Sequence, residues 1–233
     1  MHVNRTVSVQ SRIHLCMISL FFVSTLIYCT HANAANQVDI SYYLDDRDFN
    51  TLTFFMLNND LGEGFSFLGF TDFHSDHQNL TSRNDATRTF SEFRLSNNKI
   101  AKWWNINNLG LQLEYNDSTP GNNNNAVRLG LTYNQTINAS DWLQLRVFPL
   151  DSQNDGQASI VYFFKFTGNF NLSGFADYNF ISDGKNQWVF EPQLNYKLYS
   201  KLWLLLEYRY NGFEDSNPNL DGSGTALGLR YDF

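Results

Sequence analysis

From residue 38 onward, apolar and polar side chains alternate with a period of two in one short segment after another. Segment 201–210 shows this plainly: Leu202, Leu204, Leu206, Tyr208 and Tyr210 form one row, while Glu207 and Arg209 belong to the other. In 188–198 the rows are Trp188, Phe190, Leu194, Tyr196 and Leu198 against Glu191, Gln193, Asn195 and Lys197. Such alternation marks a strand whose two faces meet different surroundings. The pattern predicts strands at 38–44, 51–58, 64–74, 88–96, 108–116, 126–135, 141–150, 157–167, 170–180, 188–198, 201–210 and 223–233. Most are near the roughly nine to eleven residues that a tilted strand needs to cross a bilayer.

The connections add independent information. Polar stretches at 45–50, 75–87, 117–125, 151–156, 181–187 and 211–222 alternate with short ones at 59–63, 136–140, 168–169 and 199–200. Only 97–107, with Trp103 and Trp104, is too long for a tight turn. Long outer loops and tight periplasmic turns are the habit of outer-membrane barrels, and an even strand number puts both termini on the periplasmic side. The greasy row is continuous in Leu, Phe and Tyr, and the other row carries isolated charges. A buried soluble core would reverse that arrangement. The expected fold is an all-β, twelve-stranded antiparallel transmembrane β-barrel of the bacterial outer membrane. Closure follows because every backbone group in lipid needs a partner and a barrel leaves no edge.

Composition changes the picture at the start of the chain. Arg5 and Arg12 precede the apolar run ending at Cys29, and Ala32-Asn33-Ala34 follows it. A basic start, a short apolar core and an A-x-A site predict a signal peptide over 1–34 and a barrel over 35–233. Bulky Tyr28 argues against a lipoprotein site at Cys29. Both cysteines, Cys16 and Cys29, would leave with the signal, so no disulfide is expected. Of the 16 Lys and Arg, two lie in the signal and none of the 23 Asp and Glu do, which leaves 14 against 23, a net charge of −9. That balance argues against nucleic acid as a partner. Aromatics reach 16% of the chain while mean hydropathy stays at −0.37, as expected when greasy residues are spread one in two.

The same parity assigns a set of ionisable groups to the lumen: Asp72, Glu92, Arg94, Glu114, Arg128, Arg146, Lys165, Asp177, Glu191, Lys197, Glu207, Arg209 and Arg230. Both signs occur in comparable number, unlike the one-signed lining of an ion filter or the Arg/Lys-dominated lumen expected for acidic sugars. Phe70, Phe90, Trp142, Phe148, Phe163, Phe175 and Trp203 share that face. Aromatic surfaces beside hydrogen-bonding groups suit a flat, neutral ligand such as a nucleobase, though each ring could equally fill the interior.

FSFLGFTDFHSD followed by RTFSEFRLSNNKI resembles the early hairpin of the nucleoside-specific channel-forming Tsx family. The matching positions are Phe65, Phe67, Gly69, Phe70 and Asp72, then Glu92, Arg94 and Ser96. The resemblance implies a twelve-stranded channel with a narrow, phenylalanine-containing nucleoside slot. A terminal aromatic on the alternating last strand, Phe233, resembles the signal read by the barrel-assembly machinery.

Enzymatic barrels need a histidine base near a nucleophile. After the predicted signal only His74 and His77 remain, both in HSDH, and no second segment offers a partner. No catalytic, metal or cofactor site is expected. DDRD at 45–48 reads as a solvated hairpin or rim, and NNNN at 122–125 as a loop. The expected function is passive diffusion of small polar solutes, nucleosides favoured. The expected lining is Asp72, Glu92, Arg94, Glu114, Arg128, Arg146, Glu191, Glu207 and Arg209, with Phe70 and Phe90 as stacking surfaces. The expected surroundings are membrane lipid and lipopolysaccharide. The alternatives are an oligosaccharide porin, or a closed barrel acting as anchor or adhesin through its loops.

Overall fold

The computed structural model describes residues 36–76, 86–100, 106–119, 125–149, 151–213 and 220–233. The predicted signal peptide, His77, Trp103, Trp104 and most of the NNNN run lie outside them. Twelve antiparallel strands follow in chain order: β1 (Gln37–Asp45), β2 (Phe49–Asn58), β3 (Phe65–Asp76), β4 (Arg88–Asn97), β5 (Leu109–Thr119), β6 (Ala126–Thr136), β7 (Trp142–Phe148), β8 (Gly156–Lys165), β9 (Phe170–Phe180), β10 (Gln187–Lys197), β11 (Leu202–Asn211) and β12 (Gly222–Asp232). Each pairs with the next, and β1 pairs with β12 to close the barrel. The closing register runs from Asp39↔Asp232 to Asp45↔Ala226, and the Phe233 N–H donates to the Val38 carbonyl at 2.9 Å.

Each strand falls where alternation predicts it, with ends shifted by a few residues at most. Two shifts have local causes. β7 stops at Phe148 because Pro149 has no N–H for the ladder. The connection expected at 45–50 shrinks to 46–48, since pairing continues from Leu44↔Asn50 to Asp45↔Phe49. Asp48 closes this turn at φ 64°, the left-handed residue of a three-residue hairpin loop. The long segment after β4 is anchored at its start. Asn98 N–H donates to the Gly64 carbonyl at 3.1 Å, and the Asn97 amide to the Glu63 carbonyl at 3.3 Å.

The connections 59–64, 98–108, 137–141, 166–169 and 198–201 share one end with Gln37 and Phe233, here called the turn end; the others form the loop end. Burial is inverted relative to a water-soluble sandwich. Leu129 is 60% exposed on the outside, whereas Glu114 is 2% exposed within. Leu227, Leu229, Leu145 and Tyr196 continue the outer apolar surface around the barrel, far beyond the apolar patch a soluble monomer leaves to water. Such an exterior requires lipid.

Candidate functional site

The loopward part of the inward row of β12 is Gly222, Gly224, Ala226 and Gly228, and its smallness shapes the interior. A Cβ on Gly228 would stand 2.6 Å from the Tyr43 ring, so glycine there lets Tyr43 lie across the strand. Arg47 likewise occupies the space that a side chain at position 224 would need. Arg209, on β11, pairs with Glu207 and reaches over β12 to Asp45 Oδ2 (3.4 Å) and Thr51 Oγ1 (3.2 Å). Its guanidinium lies 4.7 Å from the centre of the Tyr43 ring. Arg47, in the 46–48 turn, grips both Asp45 oxygens at 2.8 Å and donates to the Leu220 carbonyl at 2.8 Å. This two-bond fork is the strong form of the ion pair, and it ties the β1–β2 turn to the loop before β12.

A second network occupies β4–β6. The register sets Arg94, Glu114 and Arg128 side by side. Glu114 accepts from Arg94 Nε at 3.1 Å, Arg128 Nη1 at 2.9 Å and Gln112 Nε2 at 3.2 Å. Arg94 also pairs with Glu92, and Arg128 reaches Asp151 at 3.5 Å. On β7, Arg146 donates to Gln144 Oε1 at 2.6 Å.

Between these walls lies a cavity of about 390 Å³ that runs from Arg47 and Leu220 at the loop end down to Phe55 and Leu68. Phe70 and Phe90 face each other in it with centroids 5.9 Å apart, and Phe175 lines it too. Asp72 accepts from Thr53 Oγ1 at 2.6 Å. A second cavity of about 400 Å³ shares Arg88, Phe90 and Arg128 with the first and extends beneath Asp151 and Asp155. Toward the turn end the interior narrows, with Asp39, Ser41, Gln112, Asn195 and Leu205 all buried. There Trp203 donates to Asp232 at 2.7 Å and is flanked by Arg230 and Lys197, 4.9 and 5.3 Å from ring centroids.

All eleven residues singled out from sequence face inward. Phe70, Asp72, Phe90, Glu92, Arg94, Arg128, Glu191 and Arg209 line the first cavity, whereas Glu114, Arg146 and Glu207 are buried in the side-chain networks of the wall. The reading of DDRD as solvated is overturned for Asp45, whose side chain is fully buried under Arg47 and Arg209. Its signal was present: the alternation Asp39, Ser41, Tyr43 continues one step past the predicted strand end. His74, the last residue of the predicted strand 64–74, is also buried. It is 6% exposed on β3, with Nδ1 3.1 Å from Thr51 Oγ1 and its ring edge-on to Phe49 at 5.7 Å. Ser75, its neighbour on a strand, points to the other face. Arg88 and Phe55 also line the cavity and were not anticipated. Among the described residues, no group of three His, Cys, Asp or Glu is placed to hold a metal ion.

No protein-family model and no curated protein sequence matches the chain. Solved structures do. The KdgM porin superposes with a TM-score of 0.55 and 12% identity, over 84% of this chain and 99% of that one. The same porin in complex with disordered oligogalacturonate aligns at 0.55 and 11% over the same shares. An outer-membrane channel from Pseudomonas putida F1 aligns at 0.49 and 12%, over 86% of this chain and 96% of that one. The fold is that of an outer-membrane porin barrel. At these identities the likeness is one of fold, and it agrees with the lipid-facing exterior and closed sheet.

Proposed function

We propose that the barrel is a passive channel for small polar solutes, entered from the loop end, and that flat solutes such as nucleosides are favoured. The observation that carries this reading is the cavity of about 390 Å³ inside a closed, lipid-facing sheet, lined by phenylalanines beside charged hydrogen-bonding groups. Its size falls in the range of small-molecule sites, roughly 300–1,000 Å³. The nucleoside preference draws on the resemblance of Phe65–Asp72 and Glu92–Ser96 to the Tsx hairpin and on the Phe70–Phe90 pair as a stacking surface. Selectivity would come from width and weak contacts, since tight binding stops transit. The eleven inward residues act as lining or as its support, without catalytic roles. Lipopolysaccharide and phospholipid surround the barrel, and β12 with Phe233 is the strand offered to the assembly machinery.

One rival draws on a specific observation. The interior of the turn end is densely filled, which suits a closed barrel acting through its loops. Single-channel conductance of the refolded chain in a planar bilayer separates the two. Small steady steps, reduced reversibly by nucleosides more than by neutral sugars, are expected. A silent bilayer, with insertion shown independently, would overturn the channel; block by sugars and nucleosides alike would remove the preference.

A further inference from the structure

The cavity lined by Phe70 and Phe90 carries a charge imbalance that the contacts resolve. On the wall made by β10, β11 and β1–β3, two arginines, Arg47 and Arg209, meet four carboxylates, Asp45, Asp72, Glu191 and Glu207. Both guanidiniums are already held: Arg47 by the two oxygens of Asp45, Arg209 by Glu207 and Asp45. Asp72 is left with the Thr53 hydroxyl, and among the described residues neither it nor Glu191 has an arginine within ion-pair distance. On the facing wall Arg94 and Arg128 are held by Glu92, Glu114 and Asp151, while Arg146, which donates to Gln144, and Asp177, which accepts from Gln157, add one charge of each sign. Arg88, the fifth arginine of the lining, is placed next to His74 in the β3–β4 ladder, two residues loopward of Asp72.

Each of the two carboxylates also stands beside a phenylalanine. The register pairs Asp72 with Phe90 on β4 and Glu191 with Phe175 on β9, and Phe70 flanks the first pair 5.9 Å from Phe90. A carboxylate next to an aromatic face is the combination that attracts an ammonium, through a charge-assisted hydrogen bond and through the ring quadrupole. We propose that this cavity discriminates by charge, taking flat or aromatic solutes that carry an ammonium in preference to neutral or anionic isosteres. This deepens the channel reading, on which it rests for the route by which solutes enter. It also separates the cavity from the oligogalacturonate complex of the KdgM porin, whose ligand is an anion.

Phenethylammonium, phenethyl alcohol and phenylacetate share a ring and differ in charge, so they test the idea. Calorimetry on the full chain refolded in neutral detergent should rank them in that order. The ammonium should bind roughly tenfold more tightly than the alcohol, the scale of one charge-assisted hydrogen bond. The double variant Asp72→Asn, Glu191→Gln should lose the gap between ammonium and alcohol, with heat-modifiable gel mobility reporting that it still folds. Phe175→Leu should weaken both compounds while keeping the gap. Equal binding of the three, a preference for phenylacetate, or a gap that survives the double variant would overturn the proposal. In a bilayer with a KCl gradient, the reversal potential should show cation preference in the unmodified chain. A silent bilayer with the calorimetric ranking intact would remove the channel and leave the cation-selective cavity; conduction without cation preference and without the ranking would do the reverse.

Discussion

Glu114 holds two arginines at once, and its 2% exposure leaves water no part in that pairing. Removing one partner from a buried ion network costs more than the network contributed, because the remaining charges stay desolvated. Glu114→Ala therefore leaves Arg94 and Arg128 unbalanced, and a loss of about 3–5 kcal/mol is expected. Glu114→Gln, which keeps hydrogen-bond acceptance, should cost less. Urea titrations followed by gel mobility in detergent would measure both, and equal stability of Glu114→Ala and the unmodified chain would contradict the assigned role. At this scale the sequence told which face each charge occupies, since parity alone sets it, but not who pairs with whom. Arg94–Glu114–Arg128 follows from register between neighbouring strands, whereas Arg209 to Asp45 spans β12 and exists only once the barrel closes. Asp45 was missed for a smaller reason, a strand end placed one residue short.

The elements were legible because each strand carries its own alternation and each short connection its own turn chemistry. The β6–β7 turn illustrates this. Asn138 Oδ1 accepts the N–H groups of Ser140 and Asp141 at 2.9 Å, folding the segment on itself as asparagine turns do. The Asp141 carboxylate then accepts the Lys165 N–H at 2.8 Å and the Asn138 amide at 2.6 Å, tying the turn to the end of β8. That backbone hydrogen bond from Lys165, with the Asn138 contact second, holds the Asp141 carboxyl below the ordinary aspartate value of 3.8. A lowered folded value means that the tie is complete above the ordinary range and is lost as pH falls through the folded one. Amide-exchange protection at Lys165 should therefore drop on acidification below the ordinary aspartate range, and Asp141→Asn should abolish that pH dependence. Unchanged protection in acid would show that the carboxylate does not secure the turn. The neighbouring connection 98–108 is the element that sequence left open. Its described start is fastened to the 59–64 turn by Asn97 and Asn98, contacts between segments far apart in the chain that no local pattern encodes.

Across the whole molecule, the interior changes character along its axis. The two cavities begin at the loop end and the first reaches Phe55 and Leu68, while Tyr43, Leu205 and Ala226 pack together with Trp203 to fill the interior beside β1, β11 and β12. Tyr43 is set in this plug by three contacts of different kinds: its hydroxyl donates to Gln193 Oε1 at 2.9 Å, its ring carries Arg209, and Gly228 gives it room. Water and ions crossing the barrel meet the wide and the filled regions in series, so the filled region sets the total resistance. Conductance should then respond unequally to substitutions that remove similar volumes. Tyr43→Ala should raise single-channel conductance clearly, whereas Phe90→Ala, which widens a region already open, should change it little while weakening block by aromatic solutes. Heat-modifiable mobility would show that each variant closes its barrel. If Phe90→Ala raised conductance as much as Tyr43→Ala, the Tyr43 region could not be the constriction, and transit would have to follow a path past the β4–β7 wall instead.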